Sequence, residues 1–328
     1  MSLVSVIIPN YNGAKYISEC LNSCLNQGES IKEIIVIDDN SIDESWMLLT
    51  KYVNQYPKLI NLFKNKGKGA CRARNYGFEL STGDYILWLD SDDFLDTNNL
   101  QAQLKSLEIA GEDAISFSKT THLYQYLDGS ERRVVDEGPC YTSSENPAEF
   151  LLTLWGSKDM VGGTIANSAW LVSRKIAECA GPWNEQLLRD QDGEFFARAV
   201  LCSSKVIYTP SANTFYRKIE KGTSITKTSN EAYYRSELDA LHLKHSYLLK
   251  HRNEDAFKKA FSKQYFTLAV GYYPKHMNLY QDAWDAYMQY NLEVPVPVLG
   301  GRAVEVFKRA LGWRLTKRIK YLLSNLYN

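Results

Sequence analysis

The sequence lacks the features of a membrane-spanning, secreted or zinc-binding chain. No apolar run reaches the roughly 18 residues that a membrane-spanning helix requires. The amino-terminal apolar run follows no basic segment and is interrupted at Pro9 and Asn10, so we expect no signal peptide. The six cysteines, scattered from Cys20 to Cys202, form no CxxC pair and have no histidine at zinc spacing. We therefore expect buried, reduced thiols and a cytoplasmic protein.

Net charge is also absent, since 38 Lys and Arg residues balance 38 Asp and Glu residues. Bulk attraction to a polyanion is not indicated, and no nucleic acid partner is expected. The composition, 45% hydrophobic and 23% charged, excludes disordered, collagen-like and disulfide-dense chains. A length of 328 residues is typical of about two domains.

The first hundred residues alternate between strand and helix patterns. Short β-branched apolar runs at 4–8 and 33–37 predict strands buried on both faces, and 14–27 has helical spacing. The alternation continues through a helix beginning near Asp43 with Ser41 as its cap, a strand at 59–63, a helix at 70–80 and a strand at 84–90. This pattern predicts an open α/β sheet whose ligands bind at the carboxyl ends of the strands.

The remainder of the chain has a different pattern. Strands at 113–118, 131–135, 169–173 and 205–216 and a helix at 189–202 predict an α+β extension of the sheet. Three helical stretches at 230–251, 254–271 and 280–291 precede a Pro- and Gly-containing break and a last helix. We predict a nucleotide-binding α/β half at 1–105, an acceptor-side half of the same domain at 106–225, and a helical region at 226–328.

Acidic residues follow the predicted strands. Asp90 and Asp92, one residue apart at a strand end, can converge on Mg²⁺ or Mn²⁺, which take oxygen ligands and share them with phosphates. The alternative is an acidic turn that caps a helix starting near Asp96. Asp39 follows the second strand, where a carboxylate can bind the nucleoside part of a ligand, while Asp38 is expected to pair with Arg74.

A basic, glycine-rich loop, KGKGACRARN at 66–75, opens the third helix. Helix-terminal N–H groups and guanidinium groups such as that of Arg72 can oppose phosphate charge there. The loop matches neither the Walker A pattern nor the GxGxxG dinucleotide fingerprint. It is a weak signal by itself.

Four motifs in register, VSVIIPNYN, VIDDNSID, GKGACRARNYGFELSTGDYILWLDSDD and LLRDQDGEFFAR, resemble the family 2 glycosyltransferases of GT-A fold over residues 3–225. The resemblance implies a UDP-linked sugar donor, a divalent metal held through the DxD motif, and inversion at the anomeric carbon. It implies that Asp39 binds uracil, that Pro9 and Tyr11 line the base pocket, that Asp90 contacts the ribose or a metal-bound water, and that Asp92 ligates the metal.

The same resemblance supplies a candidate base. Family members usually carry Glu-Asp with Arg six residues after the Asp, and Asp192 and Arg198 have that spacing, with Gln191 in place of the Glu. Proton removal from an acceptor hydroxyl calls for such a carboxylate. Asp190 as the base and Asp192 as a structural helix cap are the alternatives.

Two segments are less specific. Trp183 lies where the family often has an aromatic residue near the donor sugar or acceptor, and a core tryptophan is the alternative. Arg217, in the run Tyr216-Arg217-Lys218 followed by Ser224, resembles the basic loop that closes over the diphosphate, and a solvated surface charge is the alternative.

The last segment, 302–328, has seven basic residues against one acid, while the rest of the chain carries the opposite net charge. Its apolar residues recur at three and four, which predicts a basic amphipathic helix. Such a helix can lie on an anionic membrane, which would place the protein at the inner face of the cell membrane. Packing on the catalytic domain or on a second copy in a homodimer is the alternative.

The combined prediction is a metal-dependent hexosyltransferase that moves a sugar from a UDP-sugar to the hydroxyl of a saccharide or lipid-linked saccharide. Its expected setting is the assembly of a cell-surface polysaccharide or glycolipid. The alternatives are a noncatalytic nucleotide-sugar-binding module and a DxD-type phosphotransferase, in which the first Asp would be a nucleophile.

Overall fold

The computed structural model describes residues 2–126, 128–219, 230–250 and 254–326. Within these ranges there are nine strands and eleven α-helices. The strands are Val4–Asn10 (β1), Ile31–Asp38 (β2), Ile60–Lys64 (β3), Tyr85–Trp88 (β4), Phe94–Leu95 (β5), Ala114–Gln125 (β6), Glu131–Val135 (β7), Trp170–Ser173 (β8) and Lys205–Ile219 (β9). The helices are Ile17–Leu25 (α1), Ser45–Gln55 (α2), Ala70–Leu80 (α3), Asn99–Ala110 (α4), Pro147–Leu154 (α5), Arg174–Ala180 (α6), Gln191–Leu201 (α7), Glu231–Leu248 (α8), Glu254–Tyr272 (α9), Met277–Met288 (α10) and Arg302–Leu326 (α11).

The nine strands form one mixed sheet in the order β3-β2-β1-β4-β8-β6-β9-β5, and β7 pairs with β6. The first four positions are parallel, and β8 is antiparallel to both of its neighbours. Since parallel strands end at one edge of a sheet, Asn10, Asp38 and the turn after Trp88 are brought to the same edge. The predicted α/β sheet with an α+β extension is confirmed.

The parallel half forms because its strands are apolar on both faces. Apolar residues of β2 alternate between two clusters, with Ile34 and Val36 in one and Ile35 and Ile37 in the other, and β1 adds residues to the first of these clusters. Helix α3 packs closely over one face, because Gly77 has no side chain and a Cβ there would lie 2.3 Å from Ile7. This packing holds the start of α3, and the glycine-rich loop before it, beside the carboxyl edge.

An aromatic cluster fixes α7 to the end of β4. The Trp88 ring makes edge contacts with Trp183 at 5.6 Å and Phe195 at 4.9 Å. Trp183 stacks on Phe195 with ring centroids 4.2 Å apart, and Phe196 stacks on Trp170 at 5.2 Å. The first turn of α7 is thereby held at a defined place relative to the acidic turn after β4.

The chain divides into two compact units. The first contains residues up to 151, 164–186 and the segment from α7 through β9. The second contains 152–163, 187–190 and the helices from α8 onward, with a core built around Phe266, Val270 and Val294. The three domain ranges drawn from the sequence stay a prediction.

Two local expectations are wrong. Ser41 does not cap α2, which follows Glu44, because its hydroxyl donates to Asp38 instead. Cys179 and Cys202 form a disulfide, since α6 and the end of α7 bring their Cα atoms to 6.0 Å, whereas the other four cysteines are free and buried.

Within the described part of the chain, no helix is both long and apolar enough to cross a bilayer.

Candidate active site

The turn after β4 carries three carboxylates with three different environments. Asp93 is buried, accepts hydrogen bonds from Ser168 Oγ at 2.7 Å and from the Arg217 backbone N–H at 3.1 Å, and so ties the turn to β9. Burial, followed by the charges of Asp92 and Asp90, raises the pKa of Asp93 well above its usual value. Asp93 is a structural member of this turn.

Asp90 is held by a buried guanidinium. Arg74 Nη2 donates to Asp90 Oδ1 at 2.7 Å, and Asn167 Nδ2 donates to the same oxygen at 3.1 Å. Arg74 also donates to Gln191 Oε1 at 3.5 Å and lies 4.4 Å from the centre of the Trp183 ring. Burial opposes the charged form of Arg74, yet its pKa is raised because Asp90, and further down Asp192, stabilise the cation. Arg74 therefore connects the acidic turn to the start of α7.

Asp92 differs from both neighbours because its carboxylate is not paired. Among the described residues, no side chain or backbone group of another residue forms a hydrogen bond or ion pair with its two carboxylate oxygens, although it is half-buried. Burial, and then the charge of Asp90, raise the pKa of Asp92 to about 6. An uncompensated carboxylate beside a second one fits a divalent cation, which would neutralise both.

The donor set also limits which kind of metal site this turn could form. No group of three or more His, Cys, Asp or Glu side chains surrounds a common point in the ranges that the structure describes. Mg²⁺ and Mn²⁺ sites of phosphate-transferring and related enzymes are commonly built from one or two carboxylates plus substrate phosphates rather than from an all-protein cage. Asp92, with the second oxygen of Asp90, fits a site of that type.

The acids after β2 are bound within the protein. Asp38 is 1% exposed and accepts from Asn10 Nδ2 at 2.8 Å and from the Ser41 N–H and Oγ at 3.0 and 2.6 Å. The expected Asp38–Arg74 pair is wrong, because Arg74 is taken by Asp90. Asp39 is half-buried and accepts from Asn65 Nδ2 and the Gly69 N–H, both at 2.8 Å, so it fixes the glycine-rich loop.

The remaining predicted nucleotide contacts lie around the same edge. Pro9 is half-buried at the end of β1, and Tyr11 follows it with 57% of its surface exposed. Arg72 is on the outer side of α3 and pairs with Glu185 at 3.1 Å, both side chains being substantially exposed. An exposed tyrosine ring beside a sheet edge is accessible to a stacked base.

Asp192 lies in the first turn of α7, half-buried, and its charge reaches Arg74, Cys71 and Tyr216. Arg198 does not approach the acidic turn. Two of its nitrogens donate to the Glu194 carboxylate, and it also donates to the backbone carbonyls of Ala180 and Pro182. The Asp190 carboxylate accepts from buried Lys244. Of the two candidate bases, Asp192 is therefore the one associated with the acidic turn.

Arg217 is buried and is not the solvated surface charge considered as an alternative. Its Nε donates to the Asp92 carbonyl at 2.9 Å, and its Nη2 pairs with Glu19 at 2.5 Å. Trp183 is likewise a core residue, 2% exposed. Ser224 of the same predicted basic loop lies outside the described residues.

Two site residues were not identified from the sequence. Arg74 was assigned to Asp38, although the buried face of α3, with Cys71 and Gly77, places Arg74 inward and Arg72 outward. Helical periodicity could have separated these two arginines. Tyr216 is the second, since burial and the nearby Asp93, Asp90, Asp192 and Asp92 raise its pKa. Its position depends on the long-range pairing of β9 with β6, for which the sequence has no local signal.

The parallel sheet, the acidic turn at its carboxyl edge and the helix that carries Asp192 fit the GT-A class of fold. The model of the family described as Glycosyl transferase family 2 matches residues 5–179, more than half of the chain, and the chain belongs to this family. The predicted family is thus confirmed.

Individual proteins show the same similarity. An uncharacterized glycosyltransferase of Haemophilus influenzae is 39% identical over 104 residues, 32% of this chain and 42% of that protein. The poly(ribitol-phosphate) beta-glucosyltransferase of Bacillus spizizenii is 27% identical over 248 residues, 69% of this chain and 37% of that protein. The chain spans less than half the length of the first curated relatives that it matches.

The fold is similar to that of a solved structure, S. aureus TarS 1-349 in complex with UDP-GlcNAc. The TM-score is 0.57 with 18% identity, covering 88% of this chain and 92% of that one. The likeness extends beyond the family-matched segment, and it confirms the predicted GT-A fold.

Proposed function

We propose that the protein is a metal-dependent, inverting glycosyltransferase that transfers a sugar from a UDP-sugar to an acceptor hydroxyl. The observation that carries the proposal is the unpaired Asp92 carboxylate beside Asp90, at a sheet edge that also holds Asp39. Asp192, in the first turn of α7, is near enough for its charge to stabilise Arg74, the partner of Asp90. Family membership supports the reaction class. The TarS complex with UDP-GlcNAc, a protein of the same fold, supports a UDP-linked donor.

In this proposal the nucleotide binds over the ends of β1 and β2. Tyr11 and Pro9 line the base pocket, and Asp39 accepts a hydrogen bond from the base while it holds the loop before α3. Arg72, at the first turn of α3, opposes phosphate charge together with the helix N-terminus. Each of these groups recognises the part of the donor that all UDP-sugars share.

Asp92 and the free oxygen of Asp90 would hold the divalent cation. When bound, the cation neutralises the negative charge that grows on the leaving diphosphate. Arg74 keeps Asp90 oriented by its 2.7 Å bond, and Arg217 keeps the backbone of the turn in place through the Asp92 carbonyl. The protein groups are thus set before the donor arrives, which is the condition for electrostatic stabilisation of a transition state.

Asp192 accepts the proton of the acceptor hydroxyl in the proposed reaction. Inversion requires that the acceptor attack the sugar from the face opposite the leaving diphosphate, so the base must lie across the sugar from the acidic turn. The aromatic cluster around Trp88 sets that separation, because it fixes the first turn of α7 relative to the end of β4. The cell-surface polysaccharide setting is supported by the Bacillus spizizenii relative, which is a poly(ribitol-phosphate) beta-glucosyltransferase.

Asp192→Asn tests the assignment of the base. We expect UDP affinity to stay within about twofold by titration calorimetry, while UDP release from the best donor in a panel of UDP-sugars falls about 100- to 10,000-fold. Asp190→Asn is the matched control, since it makes the same chemical change two residues away, at a carboxylate that Lys244 neutralises.

Equal losses in the two variants, or an unchanged rate in Asp192→Asn, would contradict the assignment. UDP binding by the wild-type protein without UDP release for any sugar, with or without saccharide acceptors, would favour a noncatalytic binding module instead.

A further inference from the structure

Helix α11 presents a row of apolar side chains outward. Gly312, with φ of 76°, divides the helix into 302–311 and 313–326. Seven apolar residues, drawn from both halves, are at least 38% exposed, with Phe307 at 56% and Leu322 at 61%. The exposed apolar residues are Val306, Phe307, Leu311, Leu315, Ile319, Leu322 and Leu323. In the described residues these seven side chains are exposed rather than packed on the rest of the chain.

Trp313 and three lysines attach α11 to its own unit. The centre of the Trp313 ring lies 6.1 Å from that of Phe266 and 5.5 Å from that of Tyr273. Lys308 Nζ donates to the Pro297 carbonyl at 3.2 Å, Lys317 Nζ to the Gly271 carbonyl at 3.0 Å, and Lys320 Nζ to the Leu299 carbonyl at 2.9 Å. Thr316, on the same side of the helix as these lysines, is 5% exposed. This inward attachment fixes which face of α11 is left to solvent.

Arginines occupy the outward side with the apolar row. Arg302 and Arg309 are exposed and form no hydrogen bond or ion pair with any described residue. Arg318 is also exposed, and its guanidinium lies 5.5 Å from the centre of the Tyr273 ring. The single acid, Glu305, is used internally by Lys308 and the Leu299 N–H. The outward surface therefore combines apolar side chains with uncompensated positive charge.

We propose that α11 docks on an anionic lipid surface, lying in the plane of the interface with this apolar row inserted. The positive charge of the outward face of α11 favours an anionic lipid surface over a second copy of the chain. Two copies packed through this face would place arginines against arginines with no acidic residue between them. An amphipathic helix whose apolar side is flanked by arginines matches the chemistry of an interface that is anionic outside and apolar beneath. No described helix could cross the bilayer, so docking would be peripheral.

The test is sedimentation of the protein with sucrose-loaded vesicles. One set of vesicles contains phosphatidylcholine alone, and the other contains about 30% phosphatidylglycerol as the anionic lipid. We expect binding only to the anionic vesicles. Arg302→Gln with Arg309→Gln should weaken it about 30-fold, at roughly fivefold for each basic residue near the surface. Leu315→Gln with Leu322→Gln should weaken it at least about tenfold through lost apolar insertion.

Lys51→Gln with Lys58→Gln is the matched control, since both lysines are exposed in the first unit and the net charge changes equally. The inference predicts unchanged binding for this control, and an unchanged thermal midpoint for the two α11 variants because the replaced side chains are exposed. Absence of wild-type binding to anionic vesicles overturns the inference, as does equal loss in the lysine control. A dimer in light scattering that Leu315→Gln with Leu322→Gln dissociates, without vesicle binding, would assign the face to a second copy instead.

Discussion

Two acidic turns at the same sheet edge look alike in sequence but serve different purposes. In the turn after β2, the Asp38 carboxylate is buried and accepts three hydrogen bonds from Asn10 and Ser41. In the turn after β4, the Asp92 carboxylate is half-buried and has no partner among the described residues. A carboxylate whose hydrogen bonds are made within the protein stabilises the sheet edge, whereas one without partners leaves negative charge for a ligand to neutralise. The difference therefore distinguishes a structural residue from a ligand-binding one.

The largest effect is expected at the unsatisfied acid. Asp92→Asn should lower UDP release from the preferred UDP-sugar by about 100- to 1,000-fold, because the carboxylate that would hold the cation loses its charge. Asp96→Asn is the matched control at an exposed position on the same connection and should keep the wild-type rate. Similar rates for the Asp92 variant and the control would end the distinction between the two turns.

The satisfied acid should affect folding more than chemistry. Asp38→Ala removes the acceptor of three hydrogen bonds at a residue that is 1% exposed, and we expect the free energy of unfolding to fall by about 3 kcal/mol in urea denaturation. The ratio of UDP affinity in Mn²⁺ to that in EDTA should stay as in the wild type. Wild-type stability of the variant, or loss of the difference in UDP affinity between Mn²⁺ and EDTA, would show that Asp38 belongs to the site.

Asp39 is intermediate between the two and should give the smallest effect. Asp39→Asn is expected to weaken UDP binding about tenfold, roughly 1.4 kcal/mol, because the amide is neutral and keeps one acceptor oxygen in place of two. Asn65→Ala removes the hydrogen bond that Asn65 Nδ2 donates to Asp39 Oδ1 but leaves the Asp39 carboxylate itself in place. If Asn65→Ala weakens UDP binding as much as Asp39→Asn, Asp39 acts by holding the loop and not by contacting the base.

The parallel half of the fold was predictable because its information is local. Apolar β-branched runs bounded by polar turns predict buried strands, and their carboxyl ends then carry Asp39, Asp90 and Asp92 to one edge without further assumptions. The helical spacing of Phe195, Phe196, Ala199 and Val200 likewise predicts the helix that begins near Asp192. Roles within the edge needed the resemblance to a family, since strand order alone does not distinguish a metal ligand from a helix cap.

What could not be predicted depends on contacts between distant segments. The choice of Asp90 over Asp38 as the partner of Arg74 is set by how α3 lies across the sheet. The Cys179–Cys202 disulfide results from the packing of α6 against α7, and the two cysteines are 23 residues apart in sequence. The outward apolar face of α11 follows from the packing of Trp313 on Phe266 and from lysine contacts to backbone carbonyls of α9 and of the segment before α11, which helical periodicity cannot indicate.

The central claim is that Asp92 is left unpaired in order to hold a cation against the donor diphosphate. Titration calorimetry of UDP, in Mn²⁺ and in EDTA, tests it most directly with the wild-type protein and Asp92→Asn. The account predicts that Mn²⁺ raises wild-type affinity at least about tenfold and that the variant loses this gain. Equal wild-type affinity in Mn²⁺ and EDTA, or a gain that survives in Asp92→Asn, would contradict it.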